Sequence, residues 1–570
     1  MRVVVWMIGL VVSFSANAQP SGKTDYPTGY FRNPLAIAMD LSGNFGELRP
    51  NHYHMGLDLK TLQRENLPVY AAAEGYIARI KIEPGGFGRA IYINHPNGFT
   101  TLYAHLNNFA PAIEAYIKRE QYRLEEWRVF IDVPADLFPV KKGEFIAFSG
   151  NTGGSQAPHL HFEIRRTHDD VNVNPLLFGF PLKDNTSPRI LRVAIYDRTK
   201  STYEQAPRLI PLKATGTARY TTTLPVITMS SPMVSFGISA YDTHTGSSNL
   251  NGIFESTLSM DDQPVISFQM DGISYNDTRY MNAHIDYRTR TNAKSYIQHL
   301  SDLPGYINSI YTRHQGDGVL DISDGRVHDI RIEVKDAYGN TSTVTTKVQY
   351  REPSTVNKAS SADKMFYPLM VDGFESEDCE FYIGERCLYD SVRIRYNKSN
   401  TATADVVSAV HAIGASHIPL QETFLVRIRP TQTLSDEQQQ RTVVQWYSGT
   451  RKDVQKAEWQ NGWAAARFRD FGFYQLVVDN TPPVIVPIGF ADGSNLSKAT
   501  RIAFTVTDNL GKFKNVRAEL DGNWLRFTND KGRTFIYKFD EKCLKGEHEL
   551  KITAEDEAGN SVEKVYRFTR

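Results

Sequence analysis

Cysteine is scarce in this chain: Cys379, Cys387 and Cys543 are the three among 570 residues. None stands at metal-ligand spacing, so any metal must be held by histidine and carboxylate. Charge of one sign is lacking as well. Lys plus Arg and Asp plus Glu each total 64, which leaves no global field to draw the chain to nucleic acid or to anionic lipid. Beyond the N-terminus there is no apolar run long enough to span a bilayer. H-E-x-x-H is absent too: His548-Glu549 lacks a second histidine, which excludes a helix-borne zinc motif with a glutamate base.

What is present begins with a leader. Arg2 supplies charge, Val3 to Phe14 an apolar stretch, and Ala16-Asn17-Ala18 a small-x-small cleavage pattern. Residues 1–18 therefore read as a signal peptide cut before Gln19, with no cysteine behind the cut to carry a lipid. The expectation is an exported protein, periplasmic or extracellular, with no integral membrane segment after cleavage. Export permits disulfides, and Cys379 with Cys387, flanking FYIGER, is the expected local pair, with Cys543 left over.

The length suggests about three to five domains of ~100–200 residues. Two stretches echo one another. Asp184-Asn185-Thr186-Ser187-Pro188 precedes RILRVAIYD, and Asp479-Asn480-Thr481-Pro482-Pro483 precedes VIVPIGF. Each is followed midway by a strand and turn (FGISAYDTHTG, IAFTVTDNLGK) and closes on alternating residues with D-x-x-G-N (HDIRIEVKDAYGNTS, HELKITAEDEAGNSV). These predict β-sandwiches over 186–350 and 481–570 that resemble immunoglobulin-like modules, with a further β-rich domain over 351–480. GDGVLDISDG carries Asp317, Asp321 and Asp324, which suit either calcium or an ordinary acidic turn. In the N-terminal region, 31–185, strand runs alternate with glycine turns. One amphipathic helix interrupts them over 111–127, with Ile113, Tyr116, Ile117, Leu124 and Trp127 on one face. The fold class expected is mostly β: an antiparallel N-terminal domain with one inserted helix, then three sandwich-like domains.

The chemistry-bearing residues lie in that N-terminal region. In SQAPHLHFEI, His159 and His161 are two apart on a strand and share a face. In RPNHYHMGLDLK, His54 and Asp58 would stand about 13 Å apart on a straight strand, so they can share an ion only if the chain bends at Gly56. His105, in TTLYAHLN, follows a strand. From spacing alone, a metal site and a plain polar strand face both stay open. His52, two residues before His54, leaves a second register for the ligand, and His95 and His168 read as surface residues.

HMGLD, AEGYI, FGRAIYINHPNGFTTLYAHL, VKKGEFIAFSGNTG and APHLHFEIR, in that order, resemble the lysostaphin-type (LytM-like) zinc metallopeptidases. The resemblance implies one zinc ion per chain held by His54, Asp58 and His161, with His105 and His159 as catalytic histidines. It also implies a metalloendopeptidase acting on peptide bonds of bacterial cell-wall peptidoglycan. The stretch between LYAHL and VKKGE is longer than that family's link and could gate the groove. Two other readings stay open: a non-catalytic member that binds the wall or activates another hydrolase, and an adhesin or scaffold built on the β domains. Those domains would also offer a surface to a regulatory or envelope protein.

Overall fold

The structure, a computed structural model, describes residues 26–307, 310–352, 363–400 and 405–570, so the leader over 1–18 lies outside the described residues. Strands dominate throughout. The N-terminal region is built on an antiparallel sheet with the order Leu41–Gly43, Leu57–Lys60, His159–Arg166, Phe99–Ala104, Arg89–Asn94, Gly75–Ile82, Pro139–Val140. Its residues bury a core that includes Leu57, Leu59, Ile91, Ile93, Leu160, Phe162 and Ile164. Gly75–Ile82 shows how the pattern is read. Ile77 and Ile80 are both buried although three apart, because a register shift between Ile77 and Arg79 inserts the extra residue.

The inserted helix spans Pro111–Leu124, with proline in its first turn and Glu125 in a left-handed C-cap. Ile113, Ile117 and Gln121 are its buried residues, whereas Leu124 is 43% exposed and the buried Trp127 lies beyond the helix end. The expected apolar face is thus shorter than the pattern suggested. The helix does not line the groove into which the histidines open. Its outer side meets the C-terminal segment: Lys118 pairs with Asp540 at 2.7 Å and Glu541 at 2.8 Å, and Arg526 donates to Gln121 at 2.8 Å.

The strands Val327–Lys335 and Thr341–Tyr350 pair across one D-x-x-G-N turn, and Glu547–Asp556 and Ser561–Thr569 across the other. Gly339 and Gly559 both adopt φ 88°, a left-handed conformation that favours glycine. Between them, residues 372–478 form two five-stranded sheets. The N-terminal region is not isolated from the β segments C-terminal to it. Phe45, Tyr53 and Met55 leave its own core and pack into the apolar cluster of those segments.

Two expectations are corrected, and one left open is decided. Cys379 and Cys387 are free, buried thiols. Cys379 opens the strand Cys379–Ile383, about 13 Å long, while the Cys387 sulfur lies beside Gly384 at the strand's far end. His95 is not a surface residue: it is buried, with Nδ1 at the Glu74 carbonyl (2.7 Å) and Nε2 at Thr101 Oγ1 (2.8 Å). Asp317, Asp321 and Asp324 form a plain acidic turn, each accepting a backbone N–H two residues on.

Candidate metal centre

Strand register assembles most of the site. Asp58 lies opposite His161 across the pair Leu57–Lys60 and His159–Arg166. On the other edge of that strand His161 faces Ala104, so His105 follows directly. Directly opposed residues hold their Cβ atoms about 4.5–5.5 Å apart, which brings Asp58 within reach of His161 without any special loop. His54 needs the bend, and the chain does bend at Gly56. The reason for glycine there is space rather than φ: a Cβ would sit 2.4 Å from the Phe162 carbonyl oxygen and 2.8 Å from Glu163 Cγ.

Three donor atoms converge. His54 Nε2 is 3.0 Å from Asp58 Oδ1 and 3.0 Å from His161 Nδ1, and His161 Nδ1 is 2.9 Å from Asp58 Oδ1. All three residues are buried. The outer nitrogens are tied. His54 Nδ1 donates to the Asn44 carbonyl at 2.7 Å, and His161 Nε2 donates to Glu163 Oε1 at 2.9 Å. A carbonyl only accepts, so His54 Nδ1 carries its proton and Nε2 presents a bare lone pair. Burial depresses His54 to about 4 and keeps that lone pair free at neutral pH. Burial also pulls His161 down, but Asp58 and Glu163 outweigh it and lift the ring to about 9. The two carboxylates demand one positive charge between them, which a proton or a cation can supply. Zinc ligands at about 2.0–2.1 Å from one ion stand roughly 3.4 Å apart, so these donors need to open by only a few tenths of an ångström. The residues fit a zinc ion.

Glu163 is the main functional residue that sequence reasoning missed. It is fully buried and held at about 2: burial opposes ionisation, but Arg165 and His161 prevail. Arg165 lies at 2.6 Å, and Asn172 and Tyr275 each donate to it at 2.8 Å. Arg49, pairing with Asp58 Oδ2 at 2.6 Å, was missed too. A signal existed for Glu163: His159, His161, Glu163 and Arg165 continue one period-two face. Tyr275 arrives from a distant segment and leaves no such trace. Glu163→Gln is expected to weaken zinc binding by about 10–100-fold, read by competition with a chromophoric chelator. An unchanged zinc Kd would remove Glu163 from the support of His161.

His105 and His159 stand side by side, ring centroids 4.8 Å apart. His105 takes φ 59°, a sparsely populated conformation that turns its ring off the end of Phe99–Ala104. His105 Nδ1 donates to the Thr152 carbonyl at 2.9 Å, and His159 Nδ1 to the Ala157 carbonyl at 2.8 Å, so in each neutral ring Nε2 is the acceptor nitrogen. Burial, then His161 and His159, depress His105 to about 3. His159 Nε2 is buried and stands 3.3 Å from Asp58 Oδ1, which His159 helps to keep ionised. His52 is exposed, with Nδ1 at the Pro50 carbonyl, and takes no part in the donor triad. The site opens on a groove of about 1410 Å³ whose walls include Phe87, Gln156, Asn249, Tyr275 and Thr278. Lys531 of the C-terminal segment reaches the loop before His159, bonding the Ser155 carbonyl at 2.8 Å.

Residues 52–122 and 138–175 match the model of Peptidase family M23, and residues 364–479 match a Zu5-like domain. The gap in the first match, residues 123–137, begins in the last turn of the helix. The DD-carboxypeptidase/endopeptidase Mpg of Neisseria meningitidis is 35% identical over 170 residues, which is 29% of this chain and 33% of that protein. This chain thus spans about a third of that relative's length. The lipoprotein NlpD of Yersinia enterocolitica is 32% identical over 111 residues, covering 20% of this chain and 88% of NlpD. The catalytic domain of lysostaphin from Staphylococcus simulans is 25% identical, covering 24% of this chain and 87% of that domain, with a TM-score of 0.17. The family match brackets His54, Asp58, His105, His159 and His161, and the chain belongs to peptidase family M23.

Proposed function

We propose that the protein is an exported zinc metalloendopeptidase that hydrolyses peptide bonds of bacterial peptidoglycan. The observation that carries this reading is the convergence of the His54, Asp58 and His161 donors beside two imidazoles whose free Nε2 atoms face the same space. His54, Asp58 and His161 would hold the zinc ion. When bound, zinc polarises the scissile carbonyl and lowers the pKa of a water at its remaining position. The chain's own contribution is proton handling. One imidazole of the pair takes up the water's proton at Nε2, and that same proton passes to the leaving amine, either directly or relayed through the neighbouring ring's Nε2. Their Nδ1 anchors on backbone carbonyls fix each ring's orientation, so neither must reorganise during the step. The groove exceeds the usual 300–1,000 Å³ of small-molecule pockets, which suits an extended peptide better than a compact ligand.

The later β segments support the centre. Tyr275 buttresses Glu163, and Tyr53 and Met55, which flank His54, pack into the neighbouring β core. The test is digestion of purified sacculi by the full chain, with mass analysis of released products. Released peptides with new termini are expected, with loss of release on chelation and recovery on zinc addition. Intact sacculi in the presence of a zinc-loaded chain would favour a wall-binding role instead.

A further inference from the structure

The echoed motifs of the two β segments have a destination that peptidase chemistry does not use. Asp184, Asp242 and Asp336, one from each motif of the first segment, bring carboxylate oxygens within 4.8 Å of one another. They are 8%, 5% and 4% exposed, and among the described residues none forms an ion pair. Asp184 and Asp336 spend oxygens on neighbouring N–H groups: Thr186 N donates to Asp184 at 2.9 Å, and Asn340 N and Nδ2 donate to Asp336 at 2.9 and 2.7 Å. Asp242 does not. Its Oδ1 is buried with no partner, and so is Oδ1 of Asn251, a residue 5% exposed that lines the same small cavity. Two orphaned acceptors beside two further buried carboxylates call for a cation. Burial, then Asp336 and Asp184, push Asp242 up to about 7, the mark of an uncompensated cluster. His244 lines the cavity too, but its Nε2 is turned to Asp40 at 3.1 Å.

We propose that Asp184, Asp242 and Asp336, with Asn251 Oδ1, form a structural calcium site that staples the peptidase region to the following β segment. The donors are all oxygen, which selects a hard cation. Calcium at 2.3–2.6 Å allows opposed ligands up to about 5 Å apart, whereas magnesium keeps several waters that a buried cluster cannot house. The site also stands behind the zinc centre. Asp242 and Asn251 exchange backbone hydrogen bonds at 2.9 and 2.8 Å, closing the loop 243–250. The next residue, Gly252, exchanges two bonds of 2.8 Å with the Asn44 side chain, and the Asn44 carbonyl orients His54. A cation holding the loop therefore holds Asn44. The second segment repeats the arrangement with Asp479, Asp508 and Asp556, so the test counts calcium by difference.

The experiment measures calcium bound to the full chain by calorimetry, for the zinc-loaded parent, zinc-loaded Asp242→Asn, and His161→Ala as the zinc-free comparison. Asp242→Asn keeps the side chain's volume and relieves repulsion, so it should fold. The parent is expected to take up one more calcium per chain than Asp242→Asn, and as many as His161→Ala. Equal uptake by the parent and Asp242→Asn, or no uptake by the parent at millimolar calcium, would overturn the site. Hydrogen exchange of the parent alone gives a second reading. Calcium should protect amides 243–252, and unchanged exchange there would count against the proposal whatever the variant does.

Discussion

His161→Ala is expected to lose bound zinc and, with it, peptidoglycan hydrolysis by more than about 10³-fold, beyond the 10–100-fold carried by a partner outside the ligand set. Of the three proposed ligands, His161 connects most: it faces Asp58 at 2.9 Å and Glu163 at 2.9 Å. Without the ring, both buried carboxylates lose the positive charge they share. Removing one partner of a buried ionic pair costs about 3–5 kcal/mol. Arg49 on Asp58 and Arg165 on Glu163 remain, so the folding penalty should fall toward the lower end. His159→Gln separates binding from proton transfer. His159 lies outside the donor triad, 3.3 Å from Asp58 Oδ1, so zinc should stay while hydrolysis drops about 10²–10⁴-fold. Zinc content by atomic absorption, set beside product release from sacculi, checks both variants. A His161→Ala chain that kept stoichiometric zinc would sink the ligand assignment.

How much of this was written in the sequence depends on the range over which each feature is encoded. Alternation marked the strands, since HDIRIEVK and LKITAED bury every second residue as the pattern requires. The H-x-H pair and the need for a bend at Gly56 followed from strand geometry alone. Contacts between distant segments were not legible. Tyr275 on Glu163, Phe45 in the next core and Lys531 on the His159 loop connect residues 112 to 376 positions apart or different cores. No local period records such neighbours. The cysteine pairing failed for a related reason: closeness in sequence overstated closeness in space once the intervening residues were extended. The helix misled at its end because helical periodicity continues through Leu124 to Trp127, while the left-handed Glu125 stops the helix first.

Gly56→Ala is expected to damage the peptidase by displacing the strand that carries Asp58. The added Cβ would lie 2.4 Å from the carbonyl oxygen of Phe162, a backbone atom in the central strand, and cannot swing aside as it could from a flexible side chain. Relief requires Leu57–Lys60 to move away from His159–Arg166, and Asp58 and His161 face each other within that pairing. Overpacking of this kind costs about 1–3 kcal/mol, here toward the upper end, and the shift would also separate zinc donors that now stand 2.9–3.0 Å apart. Gly98→Ala is the control. Gly98 has φ 82° and nothing within 4 Å of its added Cβ, so that variant should show about 1 kcal/mol of backbone cost and an unchanged zinc Kd. Calorimetric unfolding and zinc competition distinguish the two mechanisms. If Gly56→Ala melted with the parent and bound zinc as tightly, the approach of Phe162 would not be what holds His54 and Asp58 on one ion.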